Sequence, residues 1–225
     1  MIKLVAFDWN GTLIADMQTV LEADNEVLKI LGKKPVTMKI LREAFEVPIV
    51  NYYKNLGHSE KEFLKNAKLI AKTFHENYEK RVTKCRTRSH TKTLAEWLDK
   101  NQIISVIFSN HVTERIDEQL SRLKISHFFS QILANKHTGL ALRSRTKGEK
   151  LREYILQNKL KYKEVLIVGD GMEEVEIAKN LGSISVAITD GNHSTRRLKA
   201  AKPDYLISDL GQIINIVKKI NSLTN

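Results

Sequence analysis

The residues of this chain whose types and spacing could do chemistry fall into four groups: Asp8 with Asn10, Gly11 and Thr12; Ser109 with Asn110; Lys147; and Asp170 with Glu174. A carboxylate such as Asp8 can attack phosphorus and form an aspartyl-phosphate, provided that its charge is neutralised. Gly11 lets the backbone turn tightly toward a ligand, and Thr12 offers a hydroxyl and an amide to a phosphate oxygen. Asp8 and Asp170, if brought within a few ångströms, repel unless a cation sits between them. Hard oxygen ligands with no adjacent His or Cys favour magnesium. Ser109 can donate to a phosphate oxygen, and Lys147 supplies a point charge for the transferring group and the nucleophile. Taken singly, each group has a plainer explanation: a turn at Asn10-Gly11, a helix cap at Ser109-Asn110, a solvated lysine, a first-turn acid at Glu174. Their specificity lies in their order and their common placement.

That placement follows from the elements around them. Residues 4–7 form an apolar run that reads as a buried strand ending at Asp8, with turn chemistry immediately after it. Ser109 follows the apolar run ISVIF, and Asp170 follows VLIVG. Lys147 opens a helical pattern over 146–158. Further strands are expected at 103–108, 128–133, 165–168, 184–188 and 205–207, alternating with helices at 91–100, 111–123, 146–158, 173–181 and 210–220. Such alternation predicts an α/β fold, a doubly wound parallel sheet with helices on both faces and right-handed crossovers. In that architecture the strand ends converge on one crevice, where ligands bind.

The stretch between Leu13 and residue 88 reads differently. Val20, Leu21, Val27, Leu28 and Leu31 fall at helical spacing before Gly32 and Pro35. Thr37 can cap a second helix reaching Phe45, which Val47-Pro48 breaks. Ser59 caps a third, with Glu62 forming a capping box and the apolar period continuing through Tyr78. No strand signal intervenes. The expected organisation is a core domain of residues 1–14 and 89–225, carrying a small all-helical domain inserted at 15–88.

Length and composition agree with one core plus an insertion: 225 residues, 42% apolar, 7% aromatic. No apolar run approaches the length of a bilayer span, and the first acid, Asp8, comes too early for a signal peptide. Cys85 is alone, which leaves no internal disulfide and suits a reducing compartment, so a cytoplasmic location is expected. The formal net charge of +11 is partly gathered in the acid-free run at 80–88. A basic balance suits a phosphorylated substrate, an anionic surface or nucleic acid, although a solvated face is the plain reading. Without interleaved aromatics the run lacks a base-stacking pattern, which makes nucleic acid the lesser reading. Oligomeric state has no signature here.

With these residues in view, the chain resembles the haloacid dehalogenase-like hydrolase superfamily, whose members are mostly magnesium-dependent phosphatases. FDWNGTL is similar to the family's first motif, VIFSN to the second and TKGEKL to the lysine motif. VLIVGDGMEEVEIAKNLG resembles the acidic fourth motif, and SVAITDGNHSTRRLKAAKPDYLISDL the family's last segment. The helical block after the first motif resembles the cap of the phosphoglycolate phosphatase-like branch. The resemblance implies Asp8 as nucleophile and a Mg2+ ion held by Asp8, the Asn10 carbonyl and Asp170, with Glu174 in support. It implies phosphate binding at Thr12, Ser109 and Asn110, and charge neutralisation by Lys147, with Lys150 as the alternative lysine.

Two positions depart from the family pattern. Family phosphatases carry Asp two positions after the nucleophile as a general acid, whereas this chain has Asn10, which cannot act as an acid. Glu174 stands where Asp is usual, and the carboxylate survives. The leading expectation is a magnesium-dependent phosphatase acting on a small phosphorylated metabolite. The alternatives are a catalytically weakened phosphate-binding relative, supported by Asn10, and a phosphonatase-like carbon–phosphorus hydrolase using Lys54 as a Schiff base. Tyr52, Tyr53, Lys54, Arg88 and His111 are the candidates to face the substrate.

Overall fold

The structure, a computed structural model, describes residues 1–137 and 146–223. Six parallel strands form one sheet in the order β3-β2-β1-β4-β5-β6. They are β1 (Leu4–Phe7), β2 (Ile104–Val112), β3 (Gln131–Asn135), β4 (Val165–Gly169), β5 (Ile184–Ile188) and β6 (Tyr205–Ile207). The core helices are α6 (Thr91–Lys100), α7 (Thr113–Leu123), α8 (Lys147–Gln157), α9 (Met172–Leu181), α10 (Thr195–Ala200) and α11 (Gln212–Ser222).

The apolar run of β1 is buried because both faces of the sheet are covered. Val5 and Phe7 face one core with Leu94, Leu98, Ile116 and Ile213. Leu4 and Ala6 face the other, with Leu151, Ile155 and Ala178. This period of two within a continuous apolar run is what a doubly wound sheet demands. Register then sets the level of the polar residues. Phe7 pairs with Ile107 and with Val168, so Asp8 emerges at the same height as the ends of β2 and β4. The strand order reverses direction between β1 and β4, and that switch point opens the crevice.

Between β1 and α6 stand α1 (Met17–Ile30), α2 (Met38–Ala44), α3 (Ile49–Asn55), α4 (Glu60–Lys65) and α5 (Ala67–Val82). They share a core of their own built on Val27, Leu28, Tyr52, Tyr53, Phe63 and Ile70. Entry and exit are stapled: Ala15 N donates to Arg86 O at 2.9 Å, and Arg88 N to Leu13 O at 2.8 Å. This single antiparallel bridge, Ile14 with Thr87, is the extended pairing that a purely helical reading of the block did not foresee.

Several element boundaries differ from the sequence reading. The helix expected to run from Ser59 through Tyr78 is broken at Asn66, whose amide donates to Glu62 O at 2.9 Å and competes with the backbone ladder. Helices α3 and α10 are short, with little periodic signal, and were not foreseen. β2 continues through His111 instead of turning into helix there, because Asn135 Nδ2 donates to Asn110 O at 2.7 Å and holds the chain extended. β3 starts later than expected because Ser126–Phe128 coil into a 3₁₀ turn.

Candidate active site

Asp8, Lys147, Asp170, Glu173 and Glu174 meet beyond the carboxyl ends of β1 and β4. Lys147, the first residue of α8, is 3% exposed and reaches across the crevice. Its Nζ lies 3.0 Å from Asp8 Oδ1, 3.4 Å from Glu173 Oε2, and in hydrogen-bond contact with Glu174 Oε1. The Phe108 ring, 5.3 Å from Nζ, covers it with an aromatic face. Lys150 turns away to Ala134 O and Asn135 Oδ1, so of the two lysines only Lys147 reaches the carboxylates.

Four carboxylates around one ammonium leave an excess of negative charge. Burial pushes Asp8 well above its ordinary range, against the pull of Lys147 and with the push of Glu174 and Asp170. Burial and the Glu174 charge raise Asp170 to about 6. Burial also acts upward on Glu174, but the charge and hydrogen bond of Lys147 prevail and lower it. Burial acts downward on Lys147, yet Asp8, Glu174 and Glu173 hold it well above the usual lysine range. Among the described residues, the side chain of Asp170 has only neutral donors: Thr12 Oγ1 at 3.1 Å, Asn192 N at 2.5 Å and Asn192 Nδ2 at 2.9 Å. A buried carboxylate with no cationic hydrogen-bond partner, beside a second one, is the electrostatic setting that a hard divalent cation would relieve.

The turns after β1 and β5 pack directly on Asp170. A Cβ at Gly11 (φ +72°) would stand 2.2 Å from Asp170 Oδ2, and one at Gly191 2.0 Å. Any side chain there would force Asp170 out of its present position.

The other expected residues occupy distinct positions. Thr12 aims its hydroxyl at Asp170, and its amide donates to Trp9 O at 3.3 Å, so it buttresses the carboxylate. Ser109 lines the cavity and accepts from His111 N at 3.2 Å, leaving its hydroxyl proton to donate. Asn110 Nδ2 donates to Glu173 Oε2 at 2.8 Å, while its buried Oδ1 has no hydrogen bond. Asn10 points toward α5: its amide donates to Asp16 Oδ2 at 2.6 Å and to Tyr78 Oη at 2.6 Å. Tyr78 donates to the same Asp16 oxygen, and Gly11 N to the other. Burial raises the Asp16 pKa despite these donors.

Tyr52 and Tyr53 line the cavity but spend their hydroxyls on the buried Asp24, at 2.5 and 2.8 Å. Lys54 is half exposed and paired with Glu60 at 3.0 Å, away from the cavity lining. Arg88 fixes backbone, donating to Gly11 O at 2.7 Å and Thr189 O at 2.9 Å. The basic run is further divided by Arg81, which pairs with Glu22 at 3.1 Å.

Sequence reasoning missed Glu173, Asp16, Tyr78, Asn192 and His193. Glu173 had a signal in the adjacent acids Glu173-Glu174, and Asn192-His193 in polar residues soon after an apolar strand. His193 Nδ1 accepts from Met172 N at 2.8 Å, so its Nε2 carries the proton and donates to Phe45 O at 2.8 Å. With Arg42 on Asp190 O and Gly191 O, and Arg197 on Phe45 O and Glu46, it clamps the end of α2 to the core beside Asp170. The cavity enclosed between helices and sheet is about 190 Å³, smaller than the ~300–1,000 Å³ of drug-sized ligand sites.

Sheet topology and the charged cluster at its switch point define an α/β protein with a carboxylate-centred site. The chain belongs to the haloacid dehalogenase-like hydrolase family, whose pattern it matches over residues 5–188. It is similar to the phosphoglycolate phosphatase of Vibrio cholerae, 24% identical over 223 residues, covering 96% of this chain and 97% of that one. Among solved structures, a haloacid dehalogenase-like hydrolase from Streptococcus pneumoniae superposes with a TM-score of 0.79 at 19% identity, covering 96% of this chain and 98% of that one. A hydrolase from Pseudomonas syringae gives 0.77 at 17% identity, covering 98% and 99%. Among the described residues, no helix is long and apolar enough to cross a membrane.

Proposed function

We propose that this hydrolase is a magnesium-dependent phosphatase of a small phosphorylated metabolite, acting in the cytoplasm through an aspartyl-phosphate on Asp8. The observation that carries this reading is Asp8 Oδ1 held 3.0 Å from the buried Lys147 ammonium, with Asp170 beside it, at the base of a small cavity. Asp8, the Asn10 carbonyl and Asp170 would hold the metal, with Glu174 in support. When bound, Mg2+ supplies charge compensation for the carboxylates and the phosphoryl oxygens.

The chain's own residues do the rest. Asp8 attacks phosphorus with one carboxylate oxygen, and Lys147 offsets charge on the nucleophile and the transferring group. Ser109 donates to a phosphoryl oxygen, with Asn110 adjacent. The helical insertion at 15–88 serves as a cap whose inner face shuts water out during transfer. Lys54, turned outward to Glu60, gives the carbon–phosphorus reading no Schiff base in the cavity. Asn10 supplies no proton, so a leaving group departs unprotonated unless another donor serves it.

The test is a screen of phosphorylated metabolites, phosphoglycolate among them, with and without magnesium, followed by acid quenching to trap phosphate on Asp8. Magnesium-dependent release of phosphate from at least one compound, lost in Asp8→Asn, is expected. Tight phosphate-ester binding without turnover would favour the weakened relative.

A further inference from the structure

We infer that His75, Glu79 and His111 form a second cation site, one for a borderline divalent ion of the zinc class, joining the helical insertion to the core. His75 and Glu79 stand four residues apart on α5, and so share one face of that helix. His111 arrives from the end of β2, on the other side of the cavity wall. One ligand atom from each lies within 4.8 Å of the other two.

The donor set is unlike that around Asp8. Two imidazoles and one carboxylate suit zinc, cobalt or nickel, whereas magnesium takes oxygen. Geometry between the two elements is already close. His111 Nε2 and Glu79 Oε1 face one another at 3.3 Å. Ligand bonds of ~2.0–2.1 Å in a tetrahedron put neighbouring donors roughly 3.3–3.4 Å apart, so this pair spans one edge of such a site.

The same two atoms are buried, and neither makes an aligned hydrogen bond despite its proximity. The His111 side chain is only 6% exposed. An aligned Glu–His bond would satisfy both atoms, and its absence leaves both available to a shared ion. Arg115 lies near enough to act on His75 electrostatically, but its guanidinium is held by Glu118 at 2.8 and 3.0 Å. The rings of His75 and His111 are nearly parallel, 5° apart with centroids at 5.9 Å. His75 is only partly buried, and its ligand atom already lies within 4.8 Å of those of Glu79 and His111. Both histidines also line the cavity, which leaves a fourth position open toward it, as in zinc sites that bind water or substrate.

This inference stands apart from the phosphatase reading, and its test does not use turnover. The full chain, stripped with EDTA and returned to excess magnesium, is titrated with Co2+ while visible d–d absorption is recorded. One equivalent of Co2+ with a nitrogen–oxygen tetrahedral spectrum is expected in the wild type and equally in Asp170→Asn, which disables only the oxygen site. His75→Asn and Glu79→Gln should each weaken Co2+ binding by about 10- to 100-fold while circular dichroism stays unchanged. These two positions are only partly buried, so they carry the test even where His111→Asn fails to fold. The idea is overturned if the wild type gives no such spectrum, if Asp170→Asn removes it, or if His75→Asn and Glu79→Gln bind as the wild type does.

Discussion

At the base of the cavity Lys147 is gripped by Asp8, Glu173 and Glu174, whereas at the wall toward α5 Asn10 meets Asp16 and Tyr78 through neutral donors. The first region is a concentration of charge in which every group shifts the pKa of its neighbours. In the second, one buried carboxylate is shared among an amide, a phenol and a backbone N–H. The base thus holds charge ready to act on phosphorus. The wall holds a side chain in place and offers no proton at Asn10. In the proposed reaction, phosphoryl transfer is well provided for and leaving-group departure is not.

Breaking the base should have the largest effect. Asp8→Asn keeps size and packing but replaces the nucleophile with an amide, so turnover should fall on the order of 10⁴-fold or more. Thermal denaturation checks that the fold survives. Activity near that of the wild type would remove Asp8 from the role. Next comes Asp170→Ala, which removes one of the proposed magnesium ligands. Magnesium affinity measured by calorimetry should fall by about 10²-fold, and by less in Glu174→Gln, whose carboxylate already serves Lys147 and Gly171 N. Unchanged affinity in Asp170→Ala would mean that the metal site is elsewhere.

Much of the base was legible in the sequence because it depends on local rules. Apolar runs ending abruptly at Asp8, Ser109 and Asp170 specify parallel strands, and parallel register brings their ends level. Lys147 was legible as the opening of the next helix. The wall was not. Tyr78 lies 62 residues from Asp16 and His193 lies 148 from Phe45, so these contacts depend on how the insertion folds back. No period or cap signals that packing. The break at Asn66 was hidden for a related reason, since the apolar period runs on across it while one side chain stops the ladder.

Sharpening the wall should give a smaller but more selective effect. General acid catalysis contributes about 10²–10⁴-fold, mainly where the leaving group is a poor alkoxide. The wild type should therefore turn over aryl and acyl phosphates well and alkyl phosphates poorly. Asn10→Asp should raise the alkyl-to-aryl rate ratio by about 10²-fold. An unchanged ratio would show that another group already supplies the proton, and His111, which also lines the cavity, would be the residue to substitute next.

The smallest effect, on stability, comes from Tyr78→Phe. Its hydroxyl donates to Asp16 and accepts from Asn10, and Phe keeps the ring in the core. A lost hydrogen bond to a charged group costs about 1.5–3 kcal/mol, a fall of several degrees in Tm for a chain of this length. The pH dependence separates this bond from simple packing. Burial raises the Asp16 pKa above its unfolded value near 3.8, so the folded state favours the protonated form. Asp16 therefore subtracts stability as pH rises from that value through its folded pKa, and the Tyr78 bond, which lowers that pKa, limits the subtraction. Removing the bond widens the gap between folded and unfolded values. The deficit of Tyr78→Phe relative to the wild type should then be greater at pH 7.5 than at about pH 2.5, well below the unfolded value, where Asp16 is largely protonated in both states. Urea denaturation of both proteins at the two pH values measures it. Equal deficits would mean that the hydroxyl contributes independently of the Asp16 charge, and no deficit at either pH that Tyr78 supports the insertion by packing alone.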